Sequence, residues 1–110
     1  MSKIKITAAC VACLLIAGAA AAAVKDSPST QAYMAAMTKM HDNMMIDYTG
    51  DADVDFVRGM IPHHQGAIDM AKLELKYGKD PELRKMAEGI ISAQEAEIAT
   101  MQTWLKAHGK

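Results

Sequence analysis

From about residue 30 to residue 107, apolar positions recur at intervals of three and four. That is the period of an amphipathic helix. No stretch alternates with the period of a strand, and no internal repeat is evident. Punctuation divides the pattern into three helices. Residues 25–31 (KDSPSTQ) read as a flexible lead-in, with Ser29 or Thr30 placed to cap a helix over about 30–46. Residues 47–53 (DYTGDAD) read as a loop broken at Gly50, with Asp53 as the expected N-cap of a second helix reaching Tyr77. Gly78 suits the C′ position, Asp80 the next N-cap and Pro81 the first helical turn. The third helix then runs from Pro81 to about Ala107 and ends near Gly109. So tight a turn makes the second and third helices an antiparallel hairpin. The expected fold is all-α, a small antiparallel bundle of three helices.

The faces differ in chemistry. On the third helix Leu83, Met86, Ala87, Ile90, Ile91, Ile98, Met101 and Leu105 form an ordinary core stripe, with Gln94 falling on it. Its opposite face carries Lys85, Glu88, Glu95 and Lys106 and reads as solvated. At about 100° per residue, Val57, Ile61, His64, Ile68, Ala71 and Leu75 share one face of the second helix. Met60, His63, Ala67, Met70 and Glu74 form the adjoining stripe, and small Ala67 would let another helix approach. The first helix gathers Met34, Met37, His41, Met44 and Met45 on one side, flanked by Met40, with no Leu, Ile, Val or Phe among them. Pro62 directly precedes His63-His64. A proline inside a helix removes a hydrogen bond and costs about 3 kcal/mol. A kink that shapes a site is the favoured reading there, and a later helix start the other.

The N-terminal segment reads as an address. Lys3 and Lys5 precede an uncharged apolar run over residues 8–24, which closes on small residues with Ala21 and Ala23 in an A-x-A arrangement. This is the pattern of a secretory signal peptide, expected over residues 1–23 with cleavage near Ala23. An uncleaved anchor is the alternative, but the run is at the short limit for spanning a bilayer. Residues 24–32 would then be the lead-in and residues 33–108 the helical domain. A periplasmic or secreted location follows, with no stable membrane insertion after cleavage.

Composition sharpens this picture. The 110-residue chain has 12 Lys and Arg against 13 Asp and Glu, a formal net charge of −1. It lacks the basic excess of a nucleic-acid binder. Only 5% of residues are aromatic, too few for a β-sandwich. Cys10 and Cys13 both lie in the apolar leader, so cleavage leaves neither a disulfide nor a thiolate. Beyond the leader stand nine Met against four Leu (Leu73, Leu75, Leu83, Leu105). Met is a flexible filler that specifies a core poorly, so a small exported domain that prefers it has a use for the sulfur.

Thioether is a soft, neutral ligand that favours Cu(I), and imidazole suits copper in either oxidation state. Hard ions want oxygen ligands, and zinc sites seldom use thioether. Met and His without Cys therefore select copper, with silver as its mimic. Met60, His63, His64 and Met70 on the second helix, with Met37, Met40, His41 and Met44 on the first, are the candidate ligands. Taken singly, a Met stripe is more often core and a buried His more often a hydrogen-bonded core residue; the joint pattern on two helices outweighs that. His108 and Trp104 receive no ligand role. Enzyme signatures are missing: there is neither H-E-x-x-H nor E-x-x-H. Asp51, Asp53 and Asp55 imitate the start of a calcium loop, but Phe56 stands where Gly is required and Pro62 where Glu is required.

Residues 55–70 (DFVRGMIPHHQGAIDM) with Ala71, and the downstream run Ile90-Ile91, Gln94, Glu97-Ile98, Met101, Trp104-Leu105, resemble the signature of the domain of unknown function 305 family. The resemblance covers roughly residues 33–108. It implies a ferritin-like helical bundle of four-helix-bundle type. It also implies a link to copper tolerance, since some exported members bind copper. Met60, His63, His64 and Met70 are the matching motif positions; Met37, Met40, His41 and Met44 match more weakly. The expected activity is copper binding without turnover, for sequestration, delivery or tolerance. The expected partners are the metal ion and a metal-exchange protein or a second copy. The competing expectation is an interaction module whose Met-rich face packs a partner.

Overall fold

The computed structural model describes residues 27–110 as three α-helices: α1 (Pro28–Asn43), α2 (Ala52–Tyr77) and α3 (Pro81–Ala107). The leader expected over residues 1–23 lies outside the described residues. The chain divides into two compact units, Met1–Gln31 and Ala32–Lys110. Of the first, only Ser27–Gln31 is described, and most of it is the first turn of α1. Among the described residues there is no strand, and no helix is long and apolar enough to cross a membrane.

The all-α architecture is as the periodicity predicts, while three boundaries shift for local reasons. α1 starts at Pro28, because Ser27 caps it: the Thr30 amide donates to Ser27 Oγ at 3.2 Å. It stops at Asn43 instead of near residue 46. Met44 and Met45 leave the helix in a turn, where the Met45 amide donates to the Asp42 carbonyl at 3.2 Å and Ile46 to Met44 at 3.0 Å. α2 is capped by Asp51, not Asp53. Asp51 Oδ1 accepts from the Asp53 amide at 3.0 Å and the Val54 amide at 3.3 Å, the bonding expected of an N-cap carboxylate. Asp53 and Asp55 occupy the first turn, where negative charge is favoured by the helix dipole.

The 47–51 loop closes on Asp55. Its carboxylate accepts from the Thr49 amide and hydroxyl, both at 2.8 Å, and from the Gly50 amide at 3.2 Å. Gly50 turns the chain with φ +86°, a conformation that favours glycine. These bonds hold the Asp55 carboxyl below its usual range, the Thr49 amide contributing most.

The hairpin turn forms where expected, by a different closure. Asp80 caps α3 through the Glu82 and Leu83 amides, both at 3.0 Å, and Pro81 opens the helix. Gly78 is extended (φ −73°, ψ 152°), not left-handed. The end of α2 is closed instead by Arg84, whose guanidinium donates to the Leu75 carbonyl at 2.7 Å and the Gly78 carbonyl at 3.0 Å. A charged donor supplies the partners that the last carbonyls of a helix lack.

α2 and α3 make the main helix pairing. The core is drawn mostly from the predicted α2 face: Val57, Ile68 and Ala71 are buried with His64, and Val54 extends the row by one turn. α3 contributes one fully buried residue, Ala87. Its stripe is otherwise half-buried, and Leu83 and Met86 remain 49% and 59% exposed. Among the described residues, no further layer covers that end. α1 buries no residue fully. It meets α2 where Met40 lies on Gly66 and where Lys39 Nζ bonds Asp69 Oδ2 at 2.9 Å. Burial of Asp69 opposes its ionisation, but hydrogen bonds from Lys39 and Gln65 and the charges of Lys39 and Lys72 outweigh it, and its carboxyl is held below the usual range. Pro62 lies inside α2, so the helix does not begin after it.

Candidate metal centre

In the antiparallel hairpin the Glu97 carboxylate meets His64, so Met60 and His64, one helical turn apart on α2, stand opposite Met101 and Glu97, one turn apart on α3. All four line a cavity of about 310 Å³, together with Phe56 and Thr100. The cavity wall is largely apolar, which favours thioether sulfur over water at its lining.

His64 is held on both sides. Its Nδ1 lies 2.9 Å from the Met60 carbonyl oxygen. A carbonyl only accepts, so Nδ1 carries the hydrogen. Nε2 is paired with Glu97 Oε2. Backbone orientation of one ring nitrogen, leaving the other for the ion, is how ligating histidines are commonly set. The His64 side chain is 10% exposed and that of Glu97 61%, so the imidazole is buried and the carboxylate stands toward solvent.

The eight sequence candidates separate into four places. Met60 and His64 share the cavity just described. Met70 lies on the far half of the hairpin, in an apolar groove of about 300 Å³ lined also by Tyr33, Leu83, Met86 and Ile90. Met40 packs on Gly66 at the α1–α2 contact. His63, Met37, His41 and Met44 are exposed; the His63 ring stands edge-on to His64 at 6.3 Å between centroids. Two of the eight thus meet in one pocket, and the Met-rich side of α1 is not gathered there.

Glu97 and Met101 were not among the sequence candidates. Met101 reads as core by its period, and Glu97 enters the sequence reading only within the run that carries the family resemblance. Counting equally from the turn would set Gln94 opposite His64, so the pairing with Glu97 was not legible in the sequence. Among the described residues no three His, Cys, Asp or Glu side chains come together. Trp104 and His108 stack at 4.0 Å between centroids, with His108 Nδ1 2.7 Å from the Trp104 carbonyl oxygen. That contact closes the end of α3 and lies apart from the cavity lining.

A family described as "Domain of unknown function (DUF305)" matches residues 15–109, most of the chain. The chain belongs to the DUF305 family. The DUF305 match contains all of α2 and α3 and the four residues that converge on the cavity. An uncharacterized protein of Acanthamoeba polyphaga mimivirus, L153, is 42% identical over 53 residues. That stretch covers 48% of this chain and 35% of the viral protein, so the likeness extends to well under two thirds of the relative.

Proposed function

We propose that this DUF305 protein is an exported copper-binding protein that takes up Cu(I) through Met and His and serves copper sequestration or delivery, without turnover. The observation that carries the reading is the convergence of Met60, Met101 and the backbone-oriented His64 on one cavity. Two thioethers and an imidazole form a donor set that soft Cu(I) prefers and that magnesium, calcium and zinc do not. Bound there, copper would be held by α2 and α3 together. The leader pattern of residues 1–23 supports export to the periplasm or beyond.

The test is competition for Cu(I) against a colorimetric chelator. A Met60→Ala/Met101→Ala variant should compete at least tenfold less well than the native protein, the scale on which metal sites respond to loss of supporting groups being about 10–100-fold. A Met37→Ala/Met44→Ala variant, altered at exposed positions of α1 and the turn after it, should compete as the native protein does. Equal competition by all three would remove the cavity from the reading.

One observation favours a second reading, that of an interaction module. The groove lined by Tyr33, Met70, Leu83, Met86 and Ile90 is apolar and open, and Met-rich surfaces adapt to varied partners. Metal-free sedimentation over a range of concentrations tests it, since docking of a second copy would raise the apparent mass as concentration rises.

A further inference from the structure

We infer that a second copy of this chain docks antiparallel on the open face of the α2–α3 hairpin, with Phe56 of each copy seated in the apolar groove of the other. This rests on the interaction reading above and names its partner and its mode. Two matching stripes set the face. On α2, Phe56, Met60, His63, Ala67 and Met70 recur at intervals of four and three; on α3, Met86, Ile90, Glu97, Thr100 and Trp104 keep the same period. Residues at that period share one side of a helix. The stripes line the groove at Met70 and Met86, the cavity at Met60 and His64, and a further opening between Asp53, Phe56, Val57 and Trp104. All three openings therefore lie on one side of the hairpin. α1 docks on another side of α2, through Met40 on Gly66 and Lys39 on Asp69, and Tyr33 reaches the edge of the groove.

The face fits a copy of itself in shape, size and plan. Its ends are unlike and complementary. Phe56 projects at one end, 62% exposed, and the groove of about 300 Å³ walled by Met70, Leu83, Met86 and Ile90 lies at the other. Phe56 and Met70 each stand seven residues from His63, about 10 Å along the helix. A two-fold axis running across the hairpin beside His63 lays each Phe56 on the other copy's groove, so one contact is made twice, as in an isologous interface. An axis along the hairpin would instead set like ends together and leave both grooves empty. Helices of 26 and 27 residues give a face about 40 Å long and about 20 Å across. That is about 800 Å², what each partner contributes to a stable interface. The product places α2 on α2 and α3 on α3 with every neighbour antiparallel, the plan of a four-helix bundle. It supplies the layer that exposed Leu83 and Met86 lack, and small Ala67 comes over Met60 of the other copy, beside the cavity. Near its middle the face is polar, at His63 and Glu97, where a carboxylate can accept from imidazoles of either copy.

The experiment uses the purified, metal-free protein with Cys10 and Cys13 changed to Ser, and far-ultraviolet circular dichroism confirms that each variant keeps its helices. Interfaces of this size bind at micromolar affinity or better, so sedimentation at up to about 100 µM should show the mass of two chains. Phe56→Ala should weaken the association at least about tenfold, as loss of an aromatic anchor does. Met86→Lys, which puts a charge at an exposed position of the groove, should do the same. Both positions lie far from the leader, so these losses assign the association to the hairpin face. His63→Cys should bridge two copies through a disulfide in oxidised glutathione, because a residue beside a two-fold axis meets its own counterpart. Lys72→Cys, exposed on another side of α2, should not. A chain that stays monomeric at every concentration overturns the inference, and the docking of a second copy falls with it. A dimer that Phe56→Ala does not weaken and His63→Cys does not bridge overturns this arrangement and leaves the interaction reading standing.

Discussion

The contact of α1 with the hairpin rests on a close approach that can be measured. A Cβ placed on Gly66 would lie 2.2 Å from Met40 Sδ, 2.6 Å from its Cγ and 3.1 Å from its Cβ. Sulfur and Cγ can rotate away, but the Met40 Cβ is fixed to the α1 backbone. Gly66→Ala must therefore displace the Met40 side chain and push α1 outward by some tenths of an ångström. Overpacking of this kind costs about 1–3 kcal/mol. Against it, replacing a helix-interior Gly with Ala gains about 0.8–1.0 kcal/mol. Gly89, inside α3, separates the two effects, because a Cβ there meets nothing within 4 Å. Gly89→Ala should show the propensity gain alone. The expected result is that Gly66→Ala is less stable than Gly89→Ala by about 1–3 kcal/mol, read from urea unfolding followed by helical dichroism. In a Met40→Ala background much of that gap should close, since the sulfur and Cγ are gone. Equal stabilities for the two Ala variants in the native background would refute the packing of Met40 on Gly66.

Further outcomes follow from the caps and loop closures. Asp51→Ala should lower stability by about 0.5–2 kcal/mol as an N-cap loss, and Asp53→Ala by less, in the same urea assay; the opposite order would return the cap to Asp53. The Asp55 carboxyl is held below the ordinary aspartate value of about 3.9, chiefly by the Thr49 amide. Because the folded form binds its proton less readily than the unfolded chain, its contribution is full above that value and is lost as the pH falls through the lowered one. Protection of the Thr49 and Gly50 amides against hydrogen exchange, relative to the unfolded chain at the same pH, should persist down to about pH 4 and fall only below it, and Asp55→Asn should lower it at neutral pH. Arg84→Ala leaves the Leu75 and Gly78 carbonyls without their charged donor and should cost about 1.5–3 kcal/mol. A change in unfolding midpoint too small to resolve would mean that water replaces the guanidinium without loss.

The sequence by itself determined what local interactions determine. Three helices follow from apolar spacing, the hairpin from Asp80 and Pro81, and the buried row of α2 from Val57, His64, Ile68 and Ala71. The family was legible too, because its residues lie in two contiguous runs. Cap positions moved by two residues where several Asp residues compete for one helix end, a choice set by loop bonds such as those of Asp55 to Thr49 and Gly50. Tertiary structure alone decided which sulfur and imidazole groups share a cavity. Period places Met60, His63, His64 and Met70 along neighbouring stripes of one helix, but what each faces depends on the register of the partner helix. That register sets Met60 and His64 opposite Met101 and Glu97 and sends Met70 to the groove beside Met86. It also left the Met-rich side of α1 largely in solvent, because α1 meets α2 through Met40 on Gly66 and Lys39 on Asp69 and not through the side that carries Met34, Met37 and His41.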